Sequence, residues 1–290
     1  MTRTRGRFAA PFAATWFATA ALAAPFVIGW RLANVAWKRR VRCVVIAILL
    51  VIAIGPAVSA PADDRPADTV MVFAAASLTE AFRAIAMELQ TRTPPLSVEF
   101  NFAGTPTLVQ QIEQGAPADV IASADEPSLA RLGTAGLLAG TPVVFARNRL
   151  AIAVAPGNPK HVTGLADLGR PGLTVALCAP TVPAGRYAAE AFGKAGIAVP
   201  AASRELDVKA VLARVAFGEA DGGVVYVTDV RAAGEKVQAV DIPDAQNALA
   251  AYPAAVVASA RNPAGARAFV DFLASQRGQQ VLGRFGFAGR

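Results

Sequence analysis

The sequence predicts an α/β fold of mostly parallel sheets flanked by helices, and three observations predict it. Short apolar runs of strand length alternate along residues 70–290 with stretches whose apolar residues recur at helical spacing. Gly, Pro, Asn and Asp punctuate the junctions between them. The alternation comes in two successive sets, with strand-rich crossings near 145–150 and 240–255. That arrangement suggests two lobes joined by two chain passages, 70–146 with 243–290 and 147–242, although a single doubly wound domain would leave similar traces.

The elements follow in order. A strand over 70–74 leads into a helix over 78–90, where Leu78, Phe82, Ile85, Ala86 and Leu89 fall on one face. A strand over 96–102 alternates, and a helix over 107–113 ends before Gly115. Residues 120–122 form a buried strand and 127–135 a helix. Strands at 143–145 and 150–155 are separated by Ala146, Arg147, Asn148 and Arg149. The pattern then renews with a strand over 173–177, helices over 184–195 and 208–217, and strands over 224–227, 237–241 and 254–258. One long amphipathic helix over 264–282 follows.

Charge is divided unevenly along the chain. No Asp or Glu precedes Asp63, whereas eight of the 28 basic residues lie before residue 61. The remainder carries 20 basic against 21 acidic residues, so the formal charge of +7 belongs to the N-terminus. Nucleic-acid binding by the folded part is therefore not expected, and no later basic and aromatic cluster argues for it.

Residues 1–62 read as an extension and a signal peptide. Lys38, Arg39, Arg40 and Arg42 supply a positive region, and 44–55 is a 12-residue apolar run. Ala60, Pro61 and Ala62 match A-x-A and place the cut after Ala62, with Ala60 the weaker site because its next residue is proline. Twelve apolar residues are short for a membrane span. A second apolar run over 8–30 means either a further membrane segment or a start upstream of the real one. Residues 63–69 are a flexible, Pro- and Asp-rich lead-in.

After Ala62 the chain has one cysteine, Cys178, and one histidine, His161. That excludes an internal disulfide, zinc sites of Cys and His, Cys-His nucleophiles and redox pairs. His161, in a Pro- and Gly-rich loop, reads as a surface residue. Asp119, Asp125, Glu126 and Asp229 read as capping or linking carboxylates, so no enzyme is expected.

Four loop-to-helix junctions carry small polar or backbone donors. Ser77 stands where an N-cap belongs; Thr105 is a favoured cap with Pro106 at the first helical position. Val182, Pro183, Ala184 and Gly185 open a third helix, and Asp207 with Val208 a fourth. Helix starts present unpaired N–H groups and partial positive charge, which suit an anion. Every helix needs a cap, however, and a single Ser or Thr there is usually structural.

Longer strings add more. VFAAASLT at 72–79, QQIEQGAPADV at 110–120 with SAD at 123–125, VPAG at 182–185 with Tyr187 and Ala188, GVVY at 223–226 with Asp229, and RFGF at 284–287 resemble the molybdate-binding proteins of ABC transporters. The resemblance covers roughly 70–290. It implies a type II periplasmic-binding-protein fold, two lobes with the ligand in the cleft, exported to the periplasm or the outer face of the cytoplasmic membrane. It implies capture of molybdate, and of tungstate, as a monomer without cofactor, for the permease and ATPase subunits of an importer. Carried over by position, Ser77 and Thr105 would give hydroxyl and backbone N–H, Ala184 and Val208 backbone N–H, and Tyr226 its phenol. Where relatives commonly have serine this chain has Thr105, and Pro106 removes a neighbouring N–H. Sulfate, thiosulfate or phosphate capture by the same fold is the alternative.

Overall fold

The computed structural model describes Pro66 and residues 68–290. The apolar runs and the cut at Ala62 lie outside the described residues. Asp63–Arg290 forms a compact unit of its own.

The fold is α/β. β1 (Thr69–Ala75) lies between β2 (Ser97–Ala103) and β3 (Val120–Ala122), parallel to both, so Val72 stands between Phe100 and Val120. β1 is buried along almost its whole length, as a parallel strand covered on both faces must be. A second parallel group sets β5 (Val175–Cys178) between β6 (Ser203–Glu205) and β7 (Gly222–Tyr226).

Two crossing strands join the groups, and they make the antiparallel pairs. β4 (Val143–Val154) runs beside β9 (Leu249–Val256) over Val143 to Arg149. From Leu150 onward it pairs instead with β7, and from Ala151 also with β8 (Gln238–Asp241). β9 in turn pairs with β3. Residues 143–155, expected as two strands, thus hold one. The polar stretch that suggested a break is accommodated at the crossing: Asn148 is buried and donates from Nδ2 to Thr228 Oγ1 (2.8 Å), and the Arg147 backbone exchanges bonds with Ala288 (3.0 Å each). Between Val144 and Ala146 the register shifts opposite Pro253, whose missing N–H makes a bulge the natural place for it.

Eight α-helices are described. α1 (Thr79–Gln90) buries Phe82, Ile85 and Leu89 at helical spacing. α2 (Thr105–Glu113) and α3 (Glu126–Thr134) follow β2 and β3. α4 (Pro183–Ala195), α5 (Val208–Ala216) and α6 (Val227–Ala233) follow β5, β6 and β7. The expected helix over 264–282 is two: α7 (Pro263–Ala274) and α8 (Gln276–Arg284). Ser275, extended at ψ 159°, divides them; its Oγ donates to Phe272 O (2.6 Å) and accepts from Gly278 N (3.1 Å).

Phe82 holds the core of the first group together, with the rings of Phe100, Phe145 and Phe269 at 6.0, 5.8 and 5.5 Å. Phe82, Phe145 and Phe269 are buried, and each such ring contributes about 1.5–3 kcal/mol of hydrophobic stabilisation. Among the described residues no helix is long and apolar enough to cross a membrane.

Candidate anion-binding site

Four chain segments leave their strands or loops and turn into helices at one place. After β1 a 3-10 turn, Ala76–Leu78, precedes α1, and Ser77 is its second residue. The cap expected at Ser77 is taken by Ala75, whose backbone is extended (ψ 139°) and gives no side-chain bond. Gly104, not Thr105, caps α2 (ψ 140°), so Thr105 is the first helical residue and Pro106 the second. The reason at α2 is room: a Cβ on Gly104 would run into the main-chain carbonyl of Leu206.

α4 begins at Pro183 after Val182, with Ala184 second. α5 begins at Val208 after Asp207, whose carboxylate accepts the Ala210 N–H (3.0 Å) and completes a side-chain cap. The N–H groups of Thr105, Ala184 and Val208 sit in first turns, where no intrahelical carbonyl can take them. Ser77, Thr105, Ala184, Val208 and Tyr226 all line one cavity of about 20 Å³. One water needs about 10–15 Å³, so the space suits a compact ion.

The side chains around it are donors held in place. Thr105 Oγ1 accepts from Ala124 N–H (3.3 Å), which leaves its own proton free. Ser77 Oγ lies 3.0 Å from Tyr252 Oη. Among the described residues, the hydroxyl of Tyr226, a residue only 1% exposed, has no partner in hydrogen-bond geometry. A buried polar atom left unpaired is uncommon and calls for an occupant. Burial pushes the Tyr226 phenol well above its usual range, so it remains a donor at any physiological pH.

Among the described residues, no Lys or Arg lines the cavity, and Asp207 is its one charged residue. Lys209, next to Val208, turns away: its Nζ bonds both Glu80 carboxylate oxygens (2.8 and 2.9 Å) and lies 3.6 Å from Asp229 Oδ1. Asp229 is fully buried, and burial raises its pKa to about 6 despite the opposing Lys209 ammonium. Its Oδ2 accepts the Tyr226 N–H (3.0 Å), tying the start of α6 to the residue that presents the phenol. An anion here meets dipoles rather than a counter-ion.

The other singled-out residues are structural. Asp119 accepts backbone N–H bonds from Met71 (2.7 Å), Arg261 (2.6 Å) and Asn262 (3.1 Å). Asp125 caps α3 through Ser128 N–H and pairs with Arg186 of α4. His161 is exposed. Cys178 is buried, and desolvation drives its thiol far above the usual range, so it is no nucleophile. Among the described residues no His, Cys, Asp and Glu cluster could hold a metal ion. Sequence reasoning missed Gly104 and Tyr252, which sit against site residues, and Asn148, which bonds to Tyr252; none has a motif of its own.

An α/β chain whose helix starts converge on a cavity of ionic size has the architecture of a solute-binding protein. The chain belongs to the bacterial extracellular solute-binding proteins, whose family profile matches residues 70–288. It is 42% identical over 233 residues to the molybdate-binding protein ModA of Mycobacterium tuberculosis (strain H37Rv), covering 80% of this chain and 89% of that one. It resembles the substrate-binding domain of a putative molybdenum ABC transporter from Clostridium difficile, with TM-score 0.59 and 30% identity over 77% of this chain and 99% of that domain. The sulfate-binding protein SubI of Mycobacterium tuberculosis shares the fold, with TM-score 0.70 at 21% identity over 76% and 86% of the two chains. These relatives are solute-binding proteins, not enzymes.

Proposed function

We propose that this chain captures molybdate, and tungstate with it, outside the cytoplasm and delivers it to the permease and ATPase subunits of an ABC importer. The observation that carries the reading is the convergence of Ser77, Thr105, Ala184, Val208 and the Tyr226 hydroxyl on one small cavity where, among the described residues, that hydroxyl is unpaired and no basic side chain enters. Molybdate is fully ionised at neutral pH and offers only acceptors, so donors alone can satisfy it. Several neutral dipoles spread its two charges without burying a Lys or Arg. The names of the molybdate-binding relatives support the choice among tetrahedral oxyanions.

The division into lobes at 70–146 with 243–290 and 147–242 belongs to the same proposal. The switch of β4 from β9 to β7 at residues 149–150 supports it. On that division Ser77 and Thr105 come from one lobe and Ala184, Val208 and Tyr226 from the other. Lys209 with Glu80 and Arg186 with Asp125 then bridge them beside the anion. The chain works as a monomer, reaching its compartment through the signal peptide that ends at Ala62.

Ligand that binds only the folded state raises stability by about 2.7 kcal/mol at a hundredfold excess over Kd. Molybdate is therefore expected to raise the thermal midpoint of the protein measurably. A midpoint that molybdate and tungstate leave unchanged while sulfate raises it overturns the reading in favour of sulfate capture.

A further inference from the structure

We propose that Tyr252 is a positioning residue that sets the direction of the Ser77 hydroxyl, so that Ser77 can only donate to the bound anion. The inference rests on Ser77 being a ligand, as argued above.

Tyr252 lies on β9, one of the two crossing strands, and is fully buried. It touches a site residue on each side: its hydroxyl is 3.0 Å from Ser77 Oγ, and its ring meets that of Tyr226 edge-on at 5.8 Å. A serine hydroxyl has one proton. If that proton went to Tyr252, Ser77 would turn lone pairs toward an anion that has only lone pairs to offer.

The surroundings decide the direction. Asn148 lies on β4, the other crossing strand, and its Oδ1 accepts the Arg149 backbone N–H (2.9 Å). A backbone N–H cannot be an acceptor, so the amide is fixed with Nδ2 facing Thr228 Oγ1 (2.8 Å) and Tyr252 Oη (3.5 Å). Nδ2 is a donor only. Tyr252 Oη therefore accepts an N–H hydrogen bond from Asn148 and donates its own O–H to Ser77 Oγ, which leaves the Ser77 O–H to donate to the anion. The Tyr252 phenol keeps its proton throughout, because burial and the nearby Asp229 carboxylate push its ionisation well above the usual range. Thr105 is oriented in the same sense by the Ala124 N–H. The Ser77 and Thr105 hydroxyls are thus polarised alike, Thr105 by the backbone and Ser77 by a relay that starts in the crossing strands.

A double-mutant cycle tests this by titration calorimetry with molybdate, using Tyr252→Phe, Ser77→Ala and both together. Tyr252→Phe keeps the ring and is expected to weaken binding about tenfold in the wild-type background, the effect of one hydrogen bond to a charged group. In the Ser77→Ala background it is expected to change affinity by less than about twofold. Equal losses in both backgrounds would mean that Tyr252 acts by packing in the crossing strands, and overturn the relay. No loss in the wild-type background overturns it too. If Ser77→Ala itself binds as wild type does, the Ser77 ligand assignment fails first, and the relay with it. Thermal midpoints without ligand report folding. Should Tyr252→Phe not fold, Asn148→Ala removes the donor that directs Tyr252, and its loss of affinity must likewise vanish beside Ser77→Ala.

Discussion

Ser77 and Tyr226 place hydroxyl groups on the cavity, one from each side of the crossing strands. Hydrogen bonds to a charged group are worth about 1.5–3 kcal/mol, and their loss in a dry site is not made good by water. Ser77→Ala and Tyr226→Phe are each expected to weaken molybdate binding by about 1–3 kcal/mol in a calorimetric titration, without unfolding the protein. Two variants that bind as wild type would remove both residues from the site. Asp229 makes a second, independent prediction. Its pKa rises from an ordinary 3.8 to about 6 on folding, so the folded state holds this proton more tightly than the unfolded one. Its contribution is full below the unfolded value and is lost as pH rises through about 6. The thermal midpoint of wild type relative to Asp229→Asn should therefore climb as pH falls from 6 toward 4, and a flat difference would show that Lys209 holds the carboxylate ionised against burial and the Glu80 charge.

Among elements, the sharpest constraint is at the start of α2. Gly104 has an ordinary φ of −61°, so glycine is needed there for close approach and not for backbone freedom. A Cβ would meet the Leu206 carbonyl, which lies just before α5, so one of the two segments must shift. Gly104→Ala is expected to hold the α2 and α5 starts apart, lowering molybdate affinity about tenfold while leaving the thermal midpoint without ligand nearly unchanged. Unaltered affinity would show that the two helix starts need not approach.

The strands and helices with strong periodicity, such as β1, α1 and α5, were legible in the sequence. The crossing strands were not. β4 hides behind Arg147, Asn148 and Arg149, and β9 begins five residues earlier than the expected strand because its alanines have little β propensity. Ser275 reads as one more polar residue in an amphipathic run until its hydroxyl is seen serving α7 and α8 at once. The caps were misplaced by two residues at Ser77 and by one at Thr105, yet the backbone and hydroxyl donors there still line the cavity. Tyr252 could not be found at all, since its role depends on a partner 175 residues away.

At the scale of the whole molecule, the basic character of the chain lies before residue 61 and has no part in ligand capture. The folded part is near neutral, and on the proposed reading it offers a dianion oriented donors in a buried space. The aromatic path from Phe82 through Phe145 and Tyr252 to Tyr226 connects the core of the first strand group with the far side of the site. Sulfate is also a tetrahedral dianion, so donors alone cannot refuse it, and cavity size must separate it from the larger oxyanions. The direct measurement is a calorimetric titration of Asp63–Arg290 with molybdate, tungstate and sulfate in turn. One molybdate bound per chain, more tightly than sulfate, is the expected result. No heat with molybdate or tungstate and a clear signal with sulfate would contradict it.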